Sequence, residues 1–225
     1  MDVYDVMRTT FAARDFTDQE VSDEVLFRIL DNARFAPSGG NRQGWKVLVI
    51  KDRQLRIQLK AILGPTIRQY RAAQGIGETP FSPVGESQLT QAMIDETPTT
   101  FPLVDSLENA PALLVVCVDL KEVCAFDKDL DRVGLISGGS VYPFAWNILL
   151  AARNEQLGGV LTTYLAHQEQ VVSELLDLPD DHAVAAMIAI GEPVRQLTRL
   201  KRNPVEEFTF IDRFSGPSFT GKPSS

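Results

Sequence analysis

The 225 residues are 44% apolar, enough to bury one core and somewhat few for two, so a single domain over 1–225 is expected. A formal charge of −8 argues against a general nucleic-acid surface, which needs a positive field to displace phosphate counterions, and directs attention to small molecules. Two cysteines are too few for a disulfide scaffold, residues 1–5 carry no signal pattern, and no run approaches the roughly 18 apolar residues of a membrane span, so a reducing cytoplasm and no membrane are expected.

Taken in chain order, Val3, Met7 and Thr10 predict a short helix over 2–11. A second helix over 17–35 carries the stripe Val25, Leu26, Ile29, Leu30 and Ala33, with Ser22 as N-cap and Asp23 and Glu24 in its first turn. Pro37 stops it, because proline lacks an N–H and biases Ala36 away from the α region. The loop Pro37-Ser38-Gly39-Gly40-Asn41-Arg42-Gln43-Gly44 follows, and two adjacent glycines let its backbone approach a flat ligand closely. Ser38, Asn41 and Gln43 both donate and accept, which suits a heterocycle edge; the plainer reading is a polar turn. Trp45 then plugs the following strand, 46–51, into the core.

A helix over 52–63 is expected to end at Gly64-Pro65. Residues 75–110 hold seven glycines and prolines and only a short helical pattern at 88–95, and form either a lid carrying Phe81 and Phe101 over a planar substrate or a solvated excursion anchored by them. The apolar run 112–119 reads as a strand buried on both faces, with Cys117 acting as a small hydrophobe. Residues 141–153 are apolar almost all round, Tyr142 and Trp146 included, which predicts a helix covered on every side, by a large core or by a second subunit. Strands over 160–165 and 183–190 flank a helix over 168–178, and 206–212 alternates like an edge strand. The sum is an α+β layered domain with a mixed sheet.

Five stretches in this order carry a resemblance: Arg14-Asp15-Phe16; Ala36-Pro37-Ser38 to Asn41 with Gln43 and Trp45; Leu149-Leu150-Ala151-Ala152; Leu157-Gly158-Gly159-Val160-Leu161-Thr162-Thr163; and Ile190-Gly191-Glu192-Pro193 before a basic cluster. Together they resemble the FMN-dependent nitroreductase family over nearly the whole chain. The resemblance implies a homodimer whose C-terminal extension, 203–225, donates a strand at 206–214 to the partner's sheet. It implies FMN as cofactor and NADPH or NADH as reductant, with nitroaromatics or quinones as acceptors at the same site, hydride passing through flavin N5.

The resemblance selects Lys201 and Arg202 for the FMN phosphate, from a cluster that also holds Arg195 and Arg199, although a charge run can equally be a solvated face. Arg14 is assigned to the phosphate or the pyrimidine edge, and Pro37, Ser38, Gly39, Asn41 and Gln43 to the ring and ribityl side. Gly159, Leu161 and Thr162 line the flavin edge, and the backbone of Leu161, Thr162 and Thr163 approaches N5 and O4. Phe81, Phe101 and Tyr142 are the candidate substrate contacts. Where family members carry Arg-Arg-Ser, this chain has Thr10-Phe11-Ala12, which leaves open whether Arg8 takes over an arginine role. No acid, base or metal is needed for flavin hydride transfer, and His167 and His182, 15 residues apart, give a metal site little support. Other readings are reductive dehalogenation or another flavin oxidoreduction, and a non-catalytic protein that sequesters flavin or senses redox state.

Overall fold

A computed structural model describes residues 1–221 and is built on a four-stranded sheet in the order β1-β2-β4-β3. The strands are β1 (Trp45–Val49), β2 (Ala112–Asp119), β3 (Gly158–Thr162) and β4 (His182–Gly191). Every neighbouring pair is antiparallel, so the sheet is not the mixed one expected. The one parallel contact among the described residues is the bridge Ala12 to Gly159 on the β3 edge. Continuous apolar runs report burial on both faces, and helical layers can supply that cover whichever way the strands point.

Alternate residues of β2 feed two cores. Leu114, Val116 and Val118 face a layer formed by α2 (Asp23–Ala33) and α6 (Tyr142–Asn154), where Ile29 and Ile148 are fully buried. Leu113, Val115 and Cys117 face α3 (Arg53–Gly75), α5 (Pro102–Asp105) and α7 (Glu169–Leu175). Burial, with the Glu169 carboxylate nearby, pushes the Cys117 thiol up to about 11, consistent with a packing role. Helix α1 (Val3–Thr9) lies against α6, and α4 (Gln91–Glu96) against α3. The Ser22 Oγ accepts from Val25 N–H at 3.3 Å, as its N-cap position requires. Trp45 stacks on Phe144 with ring centroids 4.6 Å apart and planes 2° from parallel.

Three local expectations need correction. Helix α3 runs through Pro65 to Gly75, because Leu59, Leu63, Thr66, Ile67, Ala72 and Ala73 continue a buried stripe. Each fully buried Leu or Ile is worth about 1.5–3 kcal/mol, so the stripe outweighs the roughly 3 kcal/mol penalty of an interior proline. Within one chain α6 is not covered all round: Tyr142 is 42% and Trp146 43% exposed. The alternating 206–214 stretch is not a strand; it has a short 3-10 turn, Val205–Glu207, and then folds back on itself. Ile211 N–H donates to Pro217 O and Phe219 N–H to Thr209 O, and Gly216 sits where a Cβ would collide with Ile211 O. Residues 222–225 of the expected extension lie outside the described residues.

Candidate functional site

The loop between α2 and β1 is built by its own side chains. Ser38 Oγ accepts from Gln43 N–H at 3.0 Å, and Gln43 Nε2 donates to both Asn41 O and Asn41 Oδ1 at 3.2 Å. Gly40, Asn41 and Gln43 have φ of 61°, 53° and 54°, the left-handed region that costs non-glycine residues and persists only where surrounding contacts enforce it. Two outside contacts do so: Asp119 N–H donates to Gly44 O at 2.8 Å, and Gly39 N–H donates to Ser140 Oγ at 3.1 Å. Arg42 Nη1 also reaches Cys124 Sγ at 3.0 Å. The loop thus presents exposed polar groups on a fixed frame.

The N-terminal landmark lies along the opposite sheet edge. Ala13 N–H donates to Gly159 O, Val194 N–H to Asp15 O and Thr17 N–H to Glu192 O, which strap residues 12–17 alongside β3 and the end of β4. Gly159 has no room for a side chain, since a Cβ would lie 2.8 Å from Leu149 Cδ2 and 2.9 Å from Ala189 O. Through this strap Gly159 places Arg14, whose Nη1 donates back to Ala12 O at 3.3 Å. Beyond β3, Tyr164 packs edge-on against Tyr70 and Phe101, at 5.3 and 6.0 Å between centroids. Burial, then the neighbouring Tyr70, pushes the Tyr164 hydroxyl up to about 12, and the Arg14 charge opposes them.

The basic segment closes a third region. Arg8, Arg199 and Arg202, with Met7, Thr198 and Leu200, line a cavity of about 530 Å³ that has no acidic residue among its described lining; Arg202 Nη1 also donates to Lys201 O at 2.8 Å, and the Arg8 guanidinium lies over the Tyr4 ring. Lys201, selected by the sequence, is not among its lining residues, whereas Arg199, which was passed over, is. The altered N-terminal motif is spent on structure: Thr10 Oγ1 donates to Val6 O at 2.7 Å, and Ala12 bridges Gly159. Behind the cavity, Gln196 Nε2 donates to Thr9 O and buried Arg153 donates to Thr9 Oγ1, both at 3.0 Å. Two buried side-chain oxygens have no partner among the described residues, Thr162 Oγ1 and Gln196 Oε1. One lies on the predicted flavin edge and the other beside the arginine cavity.

The nitroreductase family profile matches residues 7–192. The chain is also 30% identical over 226 residues to a nitrobenzene nitroreductase of Ectopseudomonas oleovorans, covering 91% of this chain and 94% of that one. The chain belongs to the nitroreductase family. This is a family of oxidoreductases, and solved structures agree on its fold. An NADPH:FMN oxidoreductase from Vibrio harveyi, complexed with NAD+, superposes with TM-score 0.66 at 21% identity, over 95% of this chain and 78% of that one. An iodotyrosine deiodinase bound to FMN and 3-iodo-L-tyrosine gives 0.65 at 22% identity, over 90% and 96%.

Within this nitroreductase fold two of the candidate substrate contacts, Phe81 and Phe101, pack on the same 3-10 turn, Tyr164–Gln168, and Tyr142 lies apart from them. Phe81 packs on His167 at 4.7 Å, Phe101 belongs to the Tyr70–Tyr164 cluster, and the Tyr142 hydroxyl donates to Ala185 O at 3.2 Å across the sheet. His182, read as a surface turn residue, begins β4, and its Nδ1 lies 2.7 Å from Asp181 Oδ1. Asp119, Asp181 and His182 bring ligand atoms within 4.8 Å of one another, but the Lys121 ammonium already bonds Asp181. Lys121 first, then His182, holds the Asp181 carboxyl down to about 2. No described helix is long and apolar enough to cross a membrane.

Proposed function

We propose that the protein is an FMN-dependent, homodimeric oxidoreductase that uses NADPH or NADH to reduce nitroaromatic compounds or quinones. The observation that carries this reading is the split of the site across the sheet. The Pro37–Gly44 loop leads into Trp45, which pairs with Val118 and through it with Ala183. Arg14 is strapped next to Gly158, which pairs with Gly191. Eight residues along β4 at ~3.3 Å each and three strand spacings of ~4.8 Å separate the two places, beyond the span of one flat ring. A second copy would bring the loop of one chain to the cationic edge of the other. The exposed aromatic groups of α6 and of the tail, Tyr142, Trp146, Phe208, Phe214 and Phe219, offer the surface for it.

The residues present suit FMN. Three guanidinium groups without a carboxylate match a phosphate. Thr162 Oγ1 is a buried hydroxyl awaiting a partner, and the left-handed loop leaves the groups of Ser38 and Asn41 at the surface for a heterocycle edge. When bound, FMN would supply a hydride acceptor and donor at N5. The protein's part is to orient the ring between the loop and the Leu161-Thr162-Thr163 backbone, to neutralise the phosphate through Arg8, Arg199 and Arg202, and to stabilise charge with Arg14. Residues 75–110 act as a lid that shields the acceptor from water.

The test is the visible spectrum of the FMN-loaded protein under anaerobic conditions. Flavin bands that bleach with NADPH or NADH and return on adding nitrobenzene or a quinone are the expected result. Bands that persist with both reductants would contradict it and favour a flavin-sequestering role. Relatives named iodotyrosine deiodinase, 24% identical over 92% of this chain in Nematostella vectensis, motivate halogenated phenols as a second set of acceptors in the same assay.

A further inference from the structure

The strained loop needs an external anchor at its Gly39 end, and the structure supplies one from a segment that the sequence did not mark. Ser140 closes the 3-10 turn Ile136–Ser140 directly before α6. It is 7% exposed, and its Oγ accepts the Gly39 N–H at 3.1 Å. Its neighbours are fixed: Val141 N–H donates to Gly138 O, Ala145 N–H donates to Val141 O, and α6 carries Pro143 in its first turn. The anchor is therefore rigid while the anchored segment is strained, with φ of 61° at Gly40 and 53° at Asn41 in the next two positions. A buried hydroxyl is costly unless bonded, so its presence here calls for a use. The Ser140 hydroxyl has no acceptor for its own proton among the described residues.

We propose that Ser140 is a positioning residue for flavin binding, acting through Gly39 to hold the Pro37–Gly44 loop in the conformation that addresses the ring. This rests on the flavin reading above. Ser140→Ala removes the acceptor and leaves a space too small to collapse the fold; Ser140→Thr keeps the hydroxyl. The experiment titrates apo protein into FMN, follows quenching of flavin fluorescence, and records the apo melting temperature of each variant. The expected result is a five- to tenfold weaker FMN affinity for Ser140→Ala, the scale of one lost hydrogen bond, with recovery in Ser140→Thr and an apo melting temperature close to wild type. A Ser140→Ala affinity within twofold of a wild type that does bind FMN overturns this proposal alone. So does weaker binding that merely tracks a lowered apo melting temperature. A wild type that leaves FMN fluorescence unquenched overturns the flavin reading and this proposal together.

Discussion

The Pro37–Gly44 loop and the 195–202 segment are both irregular stretches at an edge of the sheet, yet they are built on opposite principles. The loop satisfies itself: Ser38, Asn41 and Gln43 bond one another, and Asp119 and Ser140 fix its ends. The basic segment has no such closure: Arg199 and Arg202 line one cavity with Arg8, and none of the three is in an ion pair with an acidic side chain among the described residues, although Arg202 donates to Lys201 O and Arg8 lies over Tyr4. A flat ring is recognised best by groups already in place, since ordering them on binding would consume affinity. A phosphate can be held by mobile cations, because charge attraction tolerates imprecise geometry better than a directional hydrogen bond does. One region is fixed by its own contacts, and the other would be stabilised by the phosphate it is proposed to hold.

The largest effect comes from the open region. Arg8→Ala with Arg202→Ala removes two charge-assisted contacts worth about 1.5–3 kcal/mol each, so FMN affinity should fall at least a hundredfold. Because neither guanidinium is in an ion pair among the described residues, the apo melting temperature should rise or hold. A clear loss of apo stability would show the cluster to be structural. Intermediate in size is Gly159→Ala, which presses a methyl group against Leu149 and the Ala189 carbonyl. It should cost about 1–3 kcal/mol in urea unfolding and loosen the strap that holds Arg14. An unchanged unfolding midpoint would mean that the β3 edge is less tightly packed than its geometry states.

The smallest effect concerns the segment that leads into the Ile136–Ser140 turn. Buried Asp127 accepts from Leu135 N–H and from Arg132 and so shapes the approach to Ser140. Its carboxyl is held below the ordinary range, chiefly by the Leu135 N–H and further by Arg132, against the pull of burial. A depressed pKa stabilises fully above the unfolded value and is lost as pH falls through the folded one. The stability gap between wild type and Asp127→Asn should therefore be widest near neutrality and close below about pH 4. A gap independent of pH would assign the effect to packing.

Much of this was legible because local physics and tertiary structure agree. The Ser22 cap, the α2 stripe and the runs that became β2 and β4 all follow from propensity or periodicity, whereas α2 ends at Ala33, ahead of the stop expected at Pro37. Strand direction was not legible, since an apolar run is the same read up or down. Pro65 misled because proline's local cost is visible in the sequence whereas the stripe of α3 that outweighs it is only visible once folded. The 206–214 alternation names two faces but no pairing edge; within the described chain the β3 edge is bridged by Ala12, and the tail pairs with itself, Phe210 bridging Ser218. In the site, the loop carried a recognisable string and Arg199 only its place in a basic cluster, while Ser140 carried no signal. Their roles arise only from what the fold sets beside them.

A site that needs the loop of one chain and the arginines of another can be rebuilt by complementation. Asn41→Ala chains and Arg8→Ala/Arg202→Ala chains, carrying different tags, are co-expressed and the doubly tagged species is isolated and loaded with FMN. If the site is shared, each mixed dimer keeps one intact pairing and holds one tightly bound flavin, while neither variant alone retains any. If mixed dimers hold none, both halves of the site belong to the same chain and the account is contradicted.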